Sequence, residues 1–224
     1  MDRASAEREP VKLLIDICIL LCSLPVTAGV GVFGTGLTLR RPAVDAVAGP
    51  ERQAARADGE APYLAPYVPT PQEVVDRMLE LAKVADGDVV YDLGSGDGRV
   101  VITAAARYGV KAVGFEIDPS LVTASRDRVR EAGLEHLVEI REEDIQTADL
   151  SPATVVTLYL YPDANLRLRS RIMRQLKPGS RVVSHQYAMG NWQPDRVDRI
   201  KDSMGHLRTL YLWRIEDDSR PKSP

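Results

Sequence analysis

The chain has 224 residues, room for one full domain and an appendage. Its 44% hydrophobic and 27% charged content is ordinary for a globular protein, and a net charge of −3 argues against broad nucleic-acid affinity, which wants a basic excess. Both cysteines, Cys18 and Cys22, lie in the apolar N-terminal segment, and His136, His185 and His206 lack metal-ligand spacing, so a disulfide framework and a Cys- or His-based metal site are excluded.

Residues 1–12 are polar, and Leu13 to Leu39 is apolar apart from Asp16 and a few Ser and Thr. Ile17 to Leu39 carries no charge, and about 20 such residues span a bilayer core of roughly 30 Å. Three readings stand: a hydrophobic helix anchoring residues 1–41 in a membrane, a signal peptide cleaved after Val26-Thr27-Ala28, or a core helix. The anchor is favoured, since Gly29, Gly31, Gly34 and Gly36 would weaken a core helix and suit a transmembrane packing face. Residues 42–62 are Ala-, Gly- and charge-rich without apolar period, which is a linker.

The folded domain is expected over residues 63–216, with a mobile polar tail over 217–224. Prolines extend Tyr63 to Pro71, and Thr70, Pro71 and Glu73 predict a helix with Thr70 as cap and Glu73 closing a capping box. Strands are predicted at Asp88–Leu93, Lys111–Phe115, Leu137–Arg141, Thr154–Leu160 and Ser180–Ser184. Helices run over Val100–Tyr108, from an Asp118-Pro119 cap to about Ala132, and from about Asp163 to Leu176. Arg196–Lys201 and Leu207–Ile215 close the chain as a hairpin. Alternating strands and helices indicate an α/β fold: a Rossmann-like, doubly wound, mostly parallel seven-stranded sheet ending in an antiparallel pair.

Gly94, Gly96 and Gly98 alternate through the loop between the first strand and its helix, where backbone approaches a ligand at a helix N-terminus. Position 99 is Arg, so the dinucleotide G-x-G-x-x-G is not met. Ligands in such sheets sit beyond the strands' carboxyl ends. Glu116 after the second strand suits the two hydroxyls of a ribose, or is a solvated acid. Asp144 after the third suits an adenine amine between Ile117 and Ile145, or belongs to a solvated acidic run. Asp92 braces the loop or binds a ligand ammonium. Together these describe a nucleoside carrying a charged amino-acid tail.

That pattern resembles the class I S-adenosylmethionine-dependent methyltransferases. Pro66-Tyr-Val-Pro-Thr-Pro71, Asp92-Leu-Gly-Ser-Gly-Asp-Gly-Arg99, Tyr159-Leu-Tyr-Pro162 and Asn191-Trp-Gln-Pro-Asp195 resemble the small lysine methyltransferases that modify the adenine nucleotide translocase and the ATP synthase c-ring protein. The resemblance implies S-adenosyl-L-methionine as cofactor, contacts from Gly94, Gly96, Gly98 and Glu116, and a lid over the cofactor containing Tyr67 and Thr70. The acceptor it implies is a protein lysine, with a small-molecule acceptor or a non-catalytic scaffold as alternatives.

An amine acceptor wants a desolvated, aromatic-walled slot. Tyr67, Tyr159, Tyr161 and Trp192 are candidate walls, or else core residues, and His185 is a candidate proton relay or a structural histidine. Arg167, Arg171 and Arg174 share one helix face, either solvated or meeting anionic lipid or an acidic substrate. Arg40, Arg41, Arg52 and Arg56 follow the apolar segment and Arg3, Arg8 and Lys12 precede it, a slight positive-inside bias. With a cytosolic cofactor, this puts a single-pass anchor's catalytic domain on the cytosolic side and its substrate at the membrane.

Overall fold

The computed structural model describes residues 67–217. The expected anchor over 1–41, the linker over 42–62, the first residues of the expected domain and the tail beyond Asp217 lie outside the described residues. Among the described residues, no helix is long and apolar enough to cross a membrane.

The first helix, α1, spans Gln72–Leu81 and buries Val74, Val75, Met78 and Leu79. Its N-cap is Pro71, and no side chain caps it. The expected capping box does not form, because both of its side chains have tertiary partners. Thr70 Oγ1 lies 3.4 Å from Nδ1 of His185, and the Glu73 carboxylate accepts from the Ser203 amide. The remaining elements are β1 Val89–Leu93, α2 Arg99–Tyr108, β2 Lys111–Glu116, α3 Pro119–Glu131, β3 Val138–Glu142, β4 Val155–Leu158, α4 Pro162–Gln175, β5 Arg181–His185, β6 Arg196–Lys201 and β7 Leu207–Arg214. Asp118 caps α3 as expected, accepting from the amides of Ser120 and Leu121, which is worth about 1 kcal/mol.

All seven strands form one sheet in the order β3-β2-β1-β4-β5-β7-β6. β1 to β5 pair in parallel, and β7 inserts antiparallel between β5 and β6. Apolar content explains why β7 lies inside and β6 at the edge. β7 buries Leu210, Leu212 and Trp213, whereas β6 buries no residue fully and presents charged side chains to solvent, which blunts an edge.

The core has two layers. Val74 and Val75 of α1, Val101 and Ala104 of α2 and Val122 of α3 pack on one face. Leu168 and Ile172 of α4 join Phe115, Leu158 and Trp213 on the other. β4 is buried at every residue, as a central parallel strand must be. It ends at Leu158 rather than Leu160, where its pairing with β1 and β5 stops, and α4 starts at Pro162. Tyr159 to Tyr161 connect β4 to α4 at the carboxyl edge of the sheet, with Tyr161 extended. On α4, Arg167 and Arg174 are exposed, but Arg171 Nη2 donates to the Ala148 carbonyl at 2.6 Å, so the arginine face is only partly solvated.

Candidate active site

The strand order reverses between β1 and β4, and a cavity of about 290 Å³ is lined by the loops that follow β1, β2, β3 and β4. Its floor is the glycine loop. The amides of Gly94 and Ser95 both donate to the Phe115 carbonyl, at 2.9 and 2.8 Å, which hangs the loop on the end of β2. Glu116 completes the attachment. Its Oε2 accepts from the Gly96 amide at 2.8 Å, and its Oε1 from the amides of Ile117 and Asp118 at 2.8 and 3.0 Å. The residue is buried and lines the cavity, so it is not a solvated acid.

Gly96 has φ +54°, and a Cβ there would stand 2.5 Å from the Tyr67 ring. The ring therefore lies directly across the loop. At Gly94 a Cβ would come 3.0 Å from Leu160, two residues beyond β4. Gly98 differs from its two partners. It is not among the cavity-lining residues and caps α2 in left-handed conformation, φ 78°.

Tyr67 to Thr70 form a strap over the cavity, fastened by residues the sequence reading passed over. Arg99 donates twice to Asp97, at 2.9 and 2.7 Å, and once to the Thr70 carbonyl at 2.7 Å. Arg128 pairs with the same carboxylate, and the Tyr67 hydroxyl meets both Asp97 and Arg99. Burial alone would raise the Asp97 carboxyl, but Arg99 and then Arg128 outweigh it and hold it below its usual range. Burial, reinforced by Asp97, raises the Tyr67 hydroxyl. Opposite charges flanking a loop glycine, Asp97-Gly98-Arg99, were the available signal.

Asp92 is buried against Thr157, whose hydroxyl donates to it at 2.7 Å. Burial raises its pKa to about 7, with Glu116 and Asp97 adding to the rise and the Thr157 bond opposing it. Asp144 lines the cavity with Ile117 and Ile145, and its Oδ1 accepts from the Gln146 amide at 2.8 Å, which sets the turn after β3.

Aromatic rings form the β4 and β5 side. Tyr159 lines the cavity, and its ring centroid lies 4.0 Å from that of His185 and 6.3 Å from that of Tyr187. Tyr161 stands edge-on to Tyr187 at 6.1 Å, is 48% exposed, and is outside the cavity lining. His185 does not fit the relay expectation. It is fully buried, is not among the lining residues, and has no partner at Nε2. Burial, with Arg208 beside it, lowers its pKa to about 4, so it is neutral at pH 7. Trp192 packs on Trp213, with centroids 5.4 Å apart, and its carbonyl accepts from the Trp213 indole at 2.9 Å, so it belongs to the core margin rather than to a slot. Tyr187 lies beside Tyr159 but is not among the lining residues, and nothing in His185-Gln-Tyr187 forms a motif that the sequence could have offered.

The strand order, the glycine loop after β1 and the acid closing β2 define a class I S-adenosylmethionine-dependent methyltransferase. The cavity's residues fit that cofactor: Gly96 leaves no space for a side chain, and carboxylates stand at the ends of β1 and β2. The family model described as the ANTKMT methyltransferase domain matches residues 92–196. A protein-lysine N-methyltransferase of Saccharolobus islandicus is 44% identical over 152 residues, which are 67% of this chain and 93% of that protein. An adenine nucleotide translocase lysine N-methyltransferase of Mus musculus is 35% identical over 133 residues, covering 59% of this chain and 57% of that one, little more than half its length. A solved RNA methyltransferase of Salinibacter ruber in complex with S-adenosyl-L-homocysteine is 53% identical, with a TM-score of 0.64, covering 70% of this chain and 98% of that chain. The chain belongs to this family of S-adenosylmethionine-dependent methyltransferases.

Proposed function

We propose that the enzyme methylates the side-chain amine of a protein lysine, on a substrate held at a membrane. The observation carrying the amine reading is the match to the Saccharolobus protein-lysine N-methyltransferase along nearly the whole of that protein. The bound cofactor supplies an activated methyl on a sulfonium. The chain's part would be to hold the amine lone pair in line with that methyl and to let the amine's proton leave to water.

The chain has two tasks: positioning, and presenting the amine neutral. A lysine with pKa near 10.4 costs about 4.6 kcal/mol to neutralise at pH 7. Aromatic walls that exclude water reduce that cost, and Tyr159 at the cavity edge supplies one. No strong base is then needed, consistent with His185 lying outside the cavity lining. Asp92 would hold the cofactor's ammonium, Glu116 its ribose, Asp144 with Ile117 and Ile145 its adenine, and the Tyr67 to Thr70 strap would cover it.

The membrane part rests on the sequence. Ile17 to Leu39 anchors the chain with the catalytic domain on the cytosolic side, and the linker over 42–62 gives a coil reach of roughly 25 Å. That tether raises the effective concentration of lysines at the bilayer surface. Protease protection on oriented vesicles tests it, and a mature chain that begins near Gly29 outside the membrane contradicts it. Mass spectrometry of lysine methylation in membrane proteins, with and without the gene, tests the acceptor. Methyl transfer to RNA is the second reading, supported by the name of the Salinibacter structure and opposed by the net charge of −3.

A further inference from the structure

Tyr187 follows β5 in a backbone conformation that the surrounding residues impose. Gln186 has φ 69°, in the left-handed region that residues other than glycine seldom occupy. Its amide donates to the Thr209 carbonyl at 2.7 Å, and the Tyr187 amide folds back onto the His185 carbonyl at 2.9 Å. The Tyr187 carbonyl then accepts from Ser184 Oγ at 2.6 Å and from Asn165 Nδ2 at 3.1 Å. Asn165 Nδ2 also donates to Ser184 Oγ at 3.3 Å.

Asn165 and Ser184 are both fully buried, and Asn165 is the one polar residue among the buried residues of α4. Packing alone does not call for an amide there. A leucine would fill an apolar helix face without desolvating two polar atoms, and Asn165 Oδ1 has no partner. The hydrogen bonds the amide does make converge on the Tyr187 turn. That turn sets the Tyr187 ring within 18° of parallel to the Tyr159 ring, with Tyr161 edge-on beside it. Tyr159 lines the cofactor cavity, and Tyr187, which is not among the lining residues, joins it to Tyr161 through ring contacts at 6.3 and 6.1 Å.

We propose that Tyr187 is a wall of the acceptor slot and that Asn165, acting with Ser184, is the positioning residue that holds it there. The proposal rests on the amine-acceptor reading above. Parallel and edge-on rings offer π faces to a cationic or methylated amine and an apolar channel to its methylene chain.

The probe is an analogue of S-adenosylhomocysteine carrying an aminobutyl chain on sulfur, in the place of the transferred methyl. Calorimetry on the full chain compares its affinity with that of S-adenosylmethionine, which carries the same sulfonium charge without the amine, and follows S-adenosylhomocysteine alongside. The wild type binds the analogue about 10-fold tighter or more, the yield of a desolvated cation on aromatic faces. Tyr187→Ala removes most of that gain and Tyr187→Phe keeps it. Asn165→Ala removes several-fold of it, yet costs nothing further in the Tyr187→Ala background. S-adenosylhomocysteine affinity stays unchanged in every variant. If Asn165→Ala does not fold, Ser184→Ala is read by the same criteria. Additive losses, or equal losses for the analogue and S-adenosylmethionine, make Asn165 merely structural and overturn the proposal. A wild type that binds these two equally removes the amine slot, and this inference with it. Loss of S-adenosylhomocysteine binding in Tyr187→Ala puts that ring in the cofactor site instead.

Discussion

The β1–β2 side of the site and the β4–β5 side are built by different means. On the first, backbone amides are held by a carbonyl and a carboxylate: Phe115 and Glu116 fix Gly94, Ser95 and Gly96. On the second, rings are placed by side-chain bonds between distant segments, Asn165 to Tyr187 and Thr70 to His185, the latter 115 residues apart. A cofactor common to a whole enzyme class is met by backbone geometry with few tolerable substitutions. On the proposed reading, an acceptor that varies is met by side chains whose placement is set by packing. The two sides should therefore fail separately when mutated.

The largest effect is expected at Gly96. Gly96→Val puts a branched side chain into the Tyr67 ring at a left-handed position, which costs about 1–3 kcal/mol in backbone strain alone. Calorimetry should detect no S-adenosylhomocysteine binding, while circular dichroism shows the fold retained. Glu116→Ala comes next. It strips three amides of their acceptor and the cavity of a carboxylate, so affinity should fall by about 1.5–3 kcal/mol and the melting temperature should fall with it. Lower stability with unchanged affinity would make Glu116 a brace alone.

Asp92 gives a smaller effect with a definite sign. Its folded pKa of about 7 lies above the ordinary 3.8, so its contribution to stability is complete at acid pH and lost as pH rises through about 7. Cofactor binding should run the other way, tightening as Asp92 ionises to meet an ammonium. Calorimetry across that pH range should show the rise in wild type and a flat profile in Asp92→Asn. The smallest effect belongs to His185. Its folded pKa of about 4 lies below 6.5, so its contribution is present above 6.5 and lost as pH falls towards 4. Melting curves of His185→Phe should lose that dependence, and its methyl-transfer rate profile near neutral pH should match wild type. A lost neutral-pH inflection would restore the relay.

The alternation of strands and helices, the closing hairpin and most element ends were legible because β1, β2, β4 and β5 are short apolar runs bounded by Gly, Pro or Asp, whereas the strand order, with β7 inside and the charged β6 at the edge, was not. Gly94, Gly96 and Glu116 were legible for a related reason, since a loop that must approach a ligand excludes most residues. The capping box at Thr70 failed where local preference met tertiary partners at His185 and Ser203. His185 and Trp192 each kept two readings and Tyr187 had none, because an aromatic residue in sequence carries no mark of whether it faces core or cavity. In the fold Trp192 packs on Trp213, whereas Tyr187 packs beside Tyr159 and Tyr161.

The acceptor is tested most directly by giving the full chain S-adenosylmethionine labelled in its methyl group together with a membrane extract containing protein and RNA, then hydrolysing the products completely. Label recovered as N-methylated lysine, and absent when Gly96→Val replaces the wild type, is the predicted result. Label recovered in methylated nucleosides would contradict the account and place the acceptor with that of the Salinibacter enzyme's name.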